Sequence, residues 1–203
     1  MHTNPAFRGA TEAQNRAFAA ERGFGTLAIN GPEGPLMSHV PFALSDTWVD
    51  LHLAPANPIL HALKTGPLPA VLSVTGPDGY VSPDWYGVED QVPTWNYIAV
   101  HIRGALDRRP IETLRSHLDD LSARFEPRLD KRPWTMEKMS EDAAAGMMWM
   151  IFPVRLVIER IDGTWKLNQN KPEVARRAAA DRMEAGVGQG LAPLAALMRT
   201  PPA

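Results

Sequence analysis

Turns rich in glycine and proline recur along this chain and leave only short segments for regular structure. The sequence has 15 Gly and 19 Pro among 203 residues, and turn clusters occupy residues 30–35 and 76–79. Asp162-Gly163 has the composition of a tight hairpin turn. Short apolar runs separated by turns about every 8–12 residues are typical of small antiparallel sheets. The pattern therefore predicts a mainly β fold with peripheral helices, in a closed or half-open barrel.

The apolar runs themselves predict the strands. The first three follow one another through short turns and predict a three-stranded antiparallel meander. The predicted strands cover residues 25–29, 36–44, 48–54, 69–75, 80–82, 95–105, 152–161 and 164–167.

Helix signals stand between and beside these runs. Thr11 and Gln14 have the spacing of a capping box, and Gly23 follows as a stop. Asn57-Pro58 predicts a second helix start, because Asn caps a first turn and Pro is tolerated at the first helical position. The predicted helices cover residues 11–22, 59–64, 110–126, 140–148, 172–184 and, weakly, 191–198.

Composition excludes several classes of protein. The chain has no Cys, so disulfide scaffolds, thiolate metal sites and Cys nucleophiles are excluded. A net charge of −2 lacks the basic excess of a dedicated DNA binder. No run of about 18 apolar residues predicts a membrane span. The first ten residues lack the pattern of a secretory signal, so we expect a cytoplasmic protein.

No catalytic or metal-binding motif is present in the sequence. G-x-S-x-G, the phosphate-binding P-loop and the dinucleotide fingerprint are all missing. The histidines have no metal-ligand spacing, which favours structural or surface roles and predicts no metal site. They are His2, His39, His52, His61, His101 and His117.

Polar and aromatic residues are concentrated at four strand ends, in residues 38–42, 52–58, 92–97 and 165–170. Turn chemistry explains any one of these clusters, and Asn57 alone is explained as a helix cap. The four together fit a flat ligand with apolar faces and polar edges. A phosphate on that ligand would be favoured at the helix start of Asn57-Pro58.

Three motifs carry a resemblance to a known family. They are Ser-Pro-x-Trp-Tyr at residues 82–86, Pro-Thr-Trp-Asn-Tyr at 93–97 and Trp-Lys-Leu-x-Gln-Asn at 165–170. Shorter matches, including Ser-His-Val-Pro-Phe at 38–42, occur in the same order from about residue 7 to 184. The chain resembles the PaiB-like FMN-binding negative transcriptional regulators of bacteria.

The resemblance implies a split β-barrel of the pyridoxamine-phosphate-oxidase kind, spanning residues 1–184, with a short C-terminal tail at 185–203. It also implies a homodimer with FMN at the subunit interface. Residues implied to line the flavin are Ser38, His39, Val40, Pro41, His52, Leu53 and Ala54, with Asn57 and Lys64 towards its phosphate. Residues implied to close the site, from the same or the other subunit, are Trp95, Asn96, Tyr97, Lys166 and Gln169.

The sequence departs from the family pattern where positive charge is expected. Pro55 stands where we expect Arg, and Ile59-Leu60 replaces an aromatic and basic pair. Glu89 and Asp90 lie in a loop that is often basic in the family. The cations left to compensate at a phosphate are Lys64, Lys166 and Lys171.

Two other functions stay open at this point. The same barrel supports a flavin-dependent oxidoreductase or flavin reductase, which needs no protein base because the flavin carries the chemistry. Haem in the same cleft would take His39, His52 or His101 as axial ligand.

Residues 166–182 carry an excess of three positive charges, for which a solvated helix face is favoured over a DNA contact.

Overall fold

A computed structural model describes residues 1–202 of the chain. No helix within that range is both long enough and apolar enough to cross a membrane. Its strands are β1 (Phe24–Gly31), β2 (Gly34–Leu44), β3 (Trp48–Leu53), β4 (Leu68–Val81), β5 (Thr94–Arg108), β6 (Phe152–Lys166) and β7 (Gly188–Gln189). Its α-helices are α1 (Glu12–Arg22), α2 (Pro58–Ala62), α3 (Leu114–Phe125), α4 (Glu141–Met148), α5 (Glu173–Met183) and α6 (Leu191–Arg199).

The strands form one sheet with the order β1-β2-β3-β6-β5-β4-β7. The predicted meander of the first three strands is confirmed, with Thr26 opposite His39 and Phe42 opposite Leu51. β1 also pairs antiparallel with β4, so the strand order returns to its first member. The expectation of a mainly β fold with peripheral helices is confirmed.

The chain divides into two compact units. The first unit contains Met1–Phe18, Val74–His101 and the chain from Ile161 onwards. The second unit contains Ala19–Ser73 and Ile102–Arg160. The long strands β4, β5 and β6 each contribute residues to both units.

The first unit has its own core under α5 and α6. Trp165 is buried there, and its indole Nε1 donates to Asn15 Oδ1 of α1 at 2.8 Å. The weak helical signal at 191–198 is confirmed as α6, whose Leu194 and Met198 are fully buried. The domain boundary at residue 184 stays a prediction, and a packed helix follows it.

The second unit buries the inward face of its strands. Val49, Leu51 and Leu53 alternate along β3 and are almost completely buried. Burial of each such side chain contributes roughly 1.5–3 kcal/mol. α2 adds Ile59 and Leu60 to the buried set, and the Asn57 side chain caps it as predicted.

Two predicted turns are wrong, because β6 runs through Asp162-Gly163 and β4 runs through residues 76–79. A Cβ on Gly163 would lie 2.0 Å from Asn15 Oδ1, and one on Gly76 would lie 2.5 Å from Phe18 Cζ. These glycines therefore let α1 side chains approach the strand backbone closely. Glycine is therefore present at these two positions because α1 packs against the strands there, and not because the chain turns.

Candidate functional site

Both units contain predicted flavin-site residues. The segments from Ser38 to Lys64 belong to the second unit, and Trp95–Tyr97 with Lys166 and Gln169 belong to the first. Within each unit, the exposure of each side chain and its hydrogen-bond partners determine which groups are available to a ligand.

Strand alternation separates the neighbouring residues of the Ser-His-Val-Pro motif. Successive side chains of a strand point to opposite faces. Val40 is buried with the core side chains, whereas His39 is exposed and Pro41 is half-buried. Leu53 of the neighbouring motif is also buried. The buried Val40 and Leu53 can offer a ligand only main-chain atoms.

His39 belongs to a polar row on the outward face of the second unit. Its Nδ1 lies 3.0 Å from Thr26 Oγ1, and Thr26 is opposite Ser73 on β4 in the strand register. Met37 and Phe24 flank this row on the same face and are 63% and 54% exposed. The face therefore combines a line of hydrogen-bonding groups with an exposed apolar platform.

The start of α2 holds Ser38 and Asn57 together. Asn57 Oδ1 accepts from the Ile59 N–H at 2.9 Å, and Asn57 Nδ2 donates to Ser38 Oγ at 2.6 Å. The Ser38 hydroxyl is therefore oriented as an acceptor towards α2, which leaves its own proton for another partner.

The turn before α2 has Pro55 at the position where the resemblance predicts an arginine. Ala54, Pro55 and Lys64 are exposed. The Pro55 carbonyl lies 3.1 Å from His61 Nε2, which brings a titratable ring to this turn. Sequence reasoning missed His61, although its position four residues after Asn57 places it on the first turns of the predicted helix.

His52 forms a buried pair with a helix residue. Its Nδ1 lies 3.0 Å from Nε2 of His117 on α3. Burial lowers the pKa of His52, and it lowers the pKa of His117 to about 4, assisted by the charge of His52. Two rings that share one hydrogen bond and resist protonation form a neutral pair near pH 7. His52 is thus engaged with α3.

The Trp95–Tyr97 segment presents three different degrees of burial. Trp95 is 47% exposed and meets the Tyr80 ring edge-on, with centroids 6.2 Å apart. Tyr97 is half-buried. Asn96 is completely buried, and neither of its amide atoms has a hydrogen-bond partner among the described residues.

Lys166 and Gln169 are partly committed to the protein. Lys166 Nζ donates to Thr94 Oγ1 at 2.5 Å, and partial burial lowers the pKa of its ammonium. Gln169 donates to the Trp165 carbonyl and accepts from the Leu167 N–H, at 2.6 and 2.8 Å. Gln169 therefore braces the end of β6.

The residues present fit a flavin mononucleotide in chemistry. The second unit offers the Ser38 proton, the exposed His39 ring and the exposed Lys64 cation beside an apolar platform. The first unit contains buried amide atoms without partners in residues 1–202, on Asn96 and at Nδ2 of Asn168. Such groups are costly unless a ligand or water satisfies them.

Two residues of the candidate site, Thr26 and Ser73, were not predicted from the sequence. Thr26 and Ser73 complete the polar row with His39, and the antiparallel pairing of β1 with β2 was a signal that could have found Thr26. Ser73 depended on the pairing of β1 with β4, which no sequence pattern indicated.

Residues 1–160 match the model of a family described as "Putative FMN-binding domain". The chain is also 28% identical over 160 residues to the "Protease synthase and sporulation protein PAI 2" of Bacillus subtilis. That alignment covers 77% of this chain and 76% of the Bacillus protein.

Solved structures with the same fold are much more distant in sequence. A conserved hypothetical protein of Mycobacterium tuberculosis is 19% identical with a TM-score of 0.59, covering 84% of this chain and 94% of that one. An FAD and heme binding protein of Mycobacterium smegmatis is 19% identical with a TM-score of 0.54, covering 78% and 72%. This likeness, with the strand order, confirms the predicted split-barrel fold class.

The His52–His117 pair predicts a loss of stability in mild acid. Above pH 6.5 the His117 ring is mostly neutral in both the folded and the unfolded protein. Near pH 6.5 the ring of the unfolded protein takes up its proton. As the pH falls from 6.5 towards the folded pKa of about 4, the unfolded state binds the proton first. Urea unfolding should therefore show that His117 contributes on the order of 3 kcal/mol less at pH 4 than at pH 7.

Carboxylates also take up protons between pH 7 and pH 4, so the test compares the pH dependence of each variant with that of wild type. His117→Gln should flatten the dependence of unfolding free energy on pH, whereas His61→Gln, at an exposed ring, should leave it unchanged. Equal slopes in wild type and His117→Gln would contradict the prediction.

Proposed function

Since this chain belongs to the FMN-binding family that its residues 1–160 match, we propose that it is a PaiB-like flavoprotein acting as a negative transcriptional regulator. The resemblance drawn from the motifs and the predicted cofactor, FMN, are both confirmed by that membership. The regulatory role, the homodimer and the cytoplasmic location stay predictions within this proposal. The polar row of His39, Thr26 and Ser73 beside an exposed apolar platform is the observation that carries its flavin site.

We assign the flavin ring to this outward face of the second unit. Met37 and Phe24 offer apolar contact to a planar ring, and His39 offers a polar group for its edge. The phosphate is assigned to the turn before α2, where Lys64 is the exposed cation and Ser38 has a proton to donate. Pro55 supplies neither a charge nor an N–H at this turn.

FMN supplies reversible hydride and electron transfer wherever it is bound. The protein's part is to bind and orient the cofactor and to keep hydrogen-bond partners at its edge. No residue is assigned to catalysis: of the two candidate bases, His52 is engaged with His117, and His39 is hydrogen-bonded to Thr26.

We expect two substitutions to weaken FMN binding. Lys64→Ala removes a charge-assisted hydrogen bond from the proposed site, which should weaken FMN affinity about ten- to a hundredfold. His39→Leu removes the polar group beside the platform and should weaken FMN affinity by about five- to tenfold. Fluorescence titration of the refolded apoprotein with FMN measures both.

The matched control is Lys138→Ala, at an exposed lysine of the second unit outside the proposed site. It should bind FMN as wild type does. If Lys64→Ala and His39→Leu also titrate like wild type, the flavin does not lie on this face. A Soret band in the purified protein would instead favour the haem alternative.

Direct DNA contact, as part of this proposal, would use the basic segment between residues 166 and 182. Arg176 of α5 donates to the Arg199 carbonyl at 2.8 Å and also to the Met198 carbonyl. Arg177 pairs with Glu173, and Lys166 is held by Thr94. Only Arg177 is neutralised by its partner, because a carbonyl or hydroxyl partner leaves the charges of Arg176 and Lys166 in place. Arg182 is exposed, so this segment keeps positive charge for the phosphates of DNA.

A gel shift at low salt separates the regulator from the oxidoreductase. We expect the FMN-loaded protein to retard DNA from upstream of its own gene, with affinity that falls steeply as salt rises. Arg182→Ala should weaken the shift, whereas Arg115→Ala, on α3 of the other unit, should not. No shift together with steady NADH oxidation would identify a flavin-dependent oxidoreductase instead.

We expect a homodimer that buries the outward face of β1 and β2. Exposed apolar side chains on a strand face favour association, and Met37 and Phe24 are such residues. Light scattering should return about twice the chain mass of 22.4 kDa for wild type. Met37→Glu should return the single-chain mass, because association would bury its charge.

Val174→Glu is the control for the dimer, since Val174 is 82% exposed on α5 of the first unit. It should remain dimeric. Wild type that scatters as a single chain at micromolar concentration would refute the dimer.

A further inference from the structure

A polar cavity lies in the second unit between α3 and the outward side of β3 and β6. Its volume is about 240 Å³, and three arginines line it: Arg109, Arg124 and Arg155. Arg109 directly follows β5, Arg124 lies on helix α3 and Arg155 lies on strand β6. None of the residues lining this cavity belongs to the set implied to hold the flavin.

Two of the three guanidinium groups are held in place by the protein. Arg155 binds both carboxylate oxygens of Asp50, at 2.6 and 2.7 Å, and stacks over the Trp48 ring at 4.2 Å. Arg124 Nη2 donates to the Leu44 carbonyl at 2.9 Å. Each keeps further N–H donors, because a guanidinium has five. Donors fixed in this way bind a ligand with little loss of side-chain entropy.

Arg109 and His117 carry buried polar atoms that the protein does not satisfy. Arg109 Nε and His117 Nδ1 are both buried with no hydrogen-bond partner among residues 1–202. His117 is 4% exposed and lines the cavity. Arg109 also has no ion-pair partner within the described chain. The Arg109 Nε–H is a donor, whereas the role of His117 Nδ1 follows from the tautomer of its pair with His52. Buried polar atoms without partners are costly and mark a place where a ligand or bound water completes the structure.

The charge around the cavity favours an anion. Asp50 offsets the charge of Arg155, and Asp120 is an exposed carboxylate on the α3 side. One positive charge remains when His117 is neutral. Thr113 and Ser116 also line the cavity, but their hydroxyls donate to the Pro110 and Thr113 carbonyls, so the donors for an anion are the guanidinium groups.

We propose that this cavity binds the phosphate group of a small molecule. Three guanidinium groups supply more N–H donors than the two oxygens of a carboxylate can accept from, and a phosphate offers further oxygens to them. The volume would hold about eight waters at their liquid density, so a phosphate fits together with part of the molecule that carries it. The site is separate from the proposed FMN site and adds a second ligand to this fold.

The test is calorimetric titration of inorganic phosphate into the FMN-saturated full chain, at constant ionic strength in a buffer without phosphate. Wild type should bind saturably. Arg109→Met should weaken phosphate binding about ten- to a hundredfold. Arg109 suits the test because its removal leaves no buried partner charge behind. Arg124→Met is the second variant, and both should keep the wild-type unfolding temperature in the absence of phosphate to within a few degrees.

Arg115→Met is the matched control, because Arg115 lies on the same helix and pairs with Asp119 outside the cavity. It should bind phosphate as wild type does. The proposal is overturned if wild type does not bind phosphate, or if Arg109→Met and Arg124→Met bind it unchanged. Tighter binding of malonate than of phosphate would overturn the assignment to phosphate. Binding seen only in FMN-free protein would make the cavity part of the cofactor site.

Discussion

The two-residue period of the strands is the constraint on which the rest of this structure depends. It sends Val40, Leu51 and Leu53 into the core and leaves the residues next to them on the outward face. Motifs that are continuous in sequence are therefore divided in space, with one half packing the protein and the other half available to a ligand. A shift of one residue in register would exchange these halves, so the core and the ligand face are specified together.

Local chemistry was the part of this fold that the sequence could predict. The capping box of Thr11 and Gln14 and the cap at Asn57 form as expected, because each needs only residues within one turn. Glycine was misleading where its role is tertiary. Gly76 and Gly163 have the composition of turns, yet they lie in strands where α1 side chains leave no room for a Cβ. Only the packed structure distinguishes these two uses of glycine.

The candidate site shows the same difference between what local sequence predicts and what tertiary packing determines. Sequence motifs identified Ser38, His39 and Asn57, but the Thr26 partner of His39 and the hydrogen bond from Asn57 to Ser38 follow from strand register and helix docking. Asn96 was predicted as a site residue, and its complete burial without hydrogen bonds follows from the packing around β5. Motif positions therefore predicted membership in a site better than they predicted what each side chain does there.

The arginines of the second unit explain why a chain with a net charge of −2 still has anion chemistry. Arg155 is neutralised by Asp50 and stacked on Trp48, whereas Arg109 keeps its whole charge in a partly enclosed space. An uncompensated guanidinium in such a place is unfavourable unless water or an anion accompanies it. His117 contacts the same cavity, and its second nitrogen meets His52. An anion bound beside Arg109 would favour the protonated form of His117 and would therefore oppose the burial that keeps the histidine pair neutral.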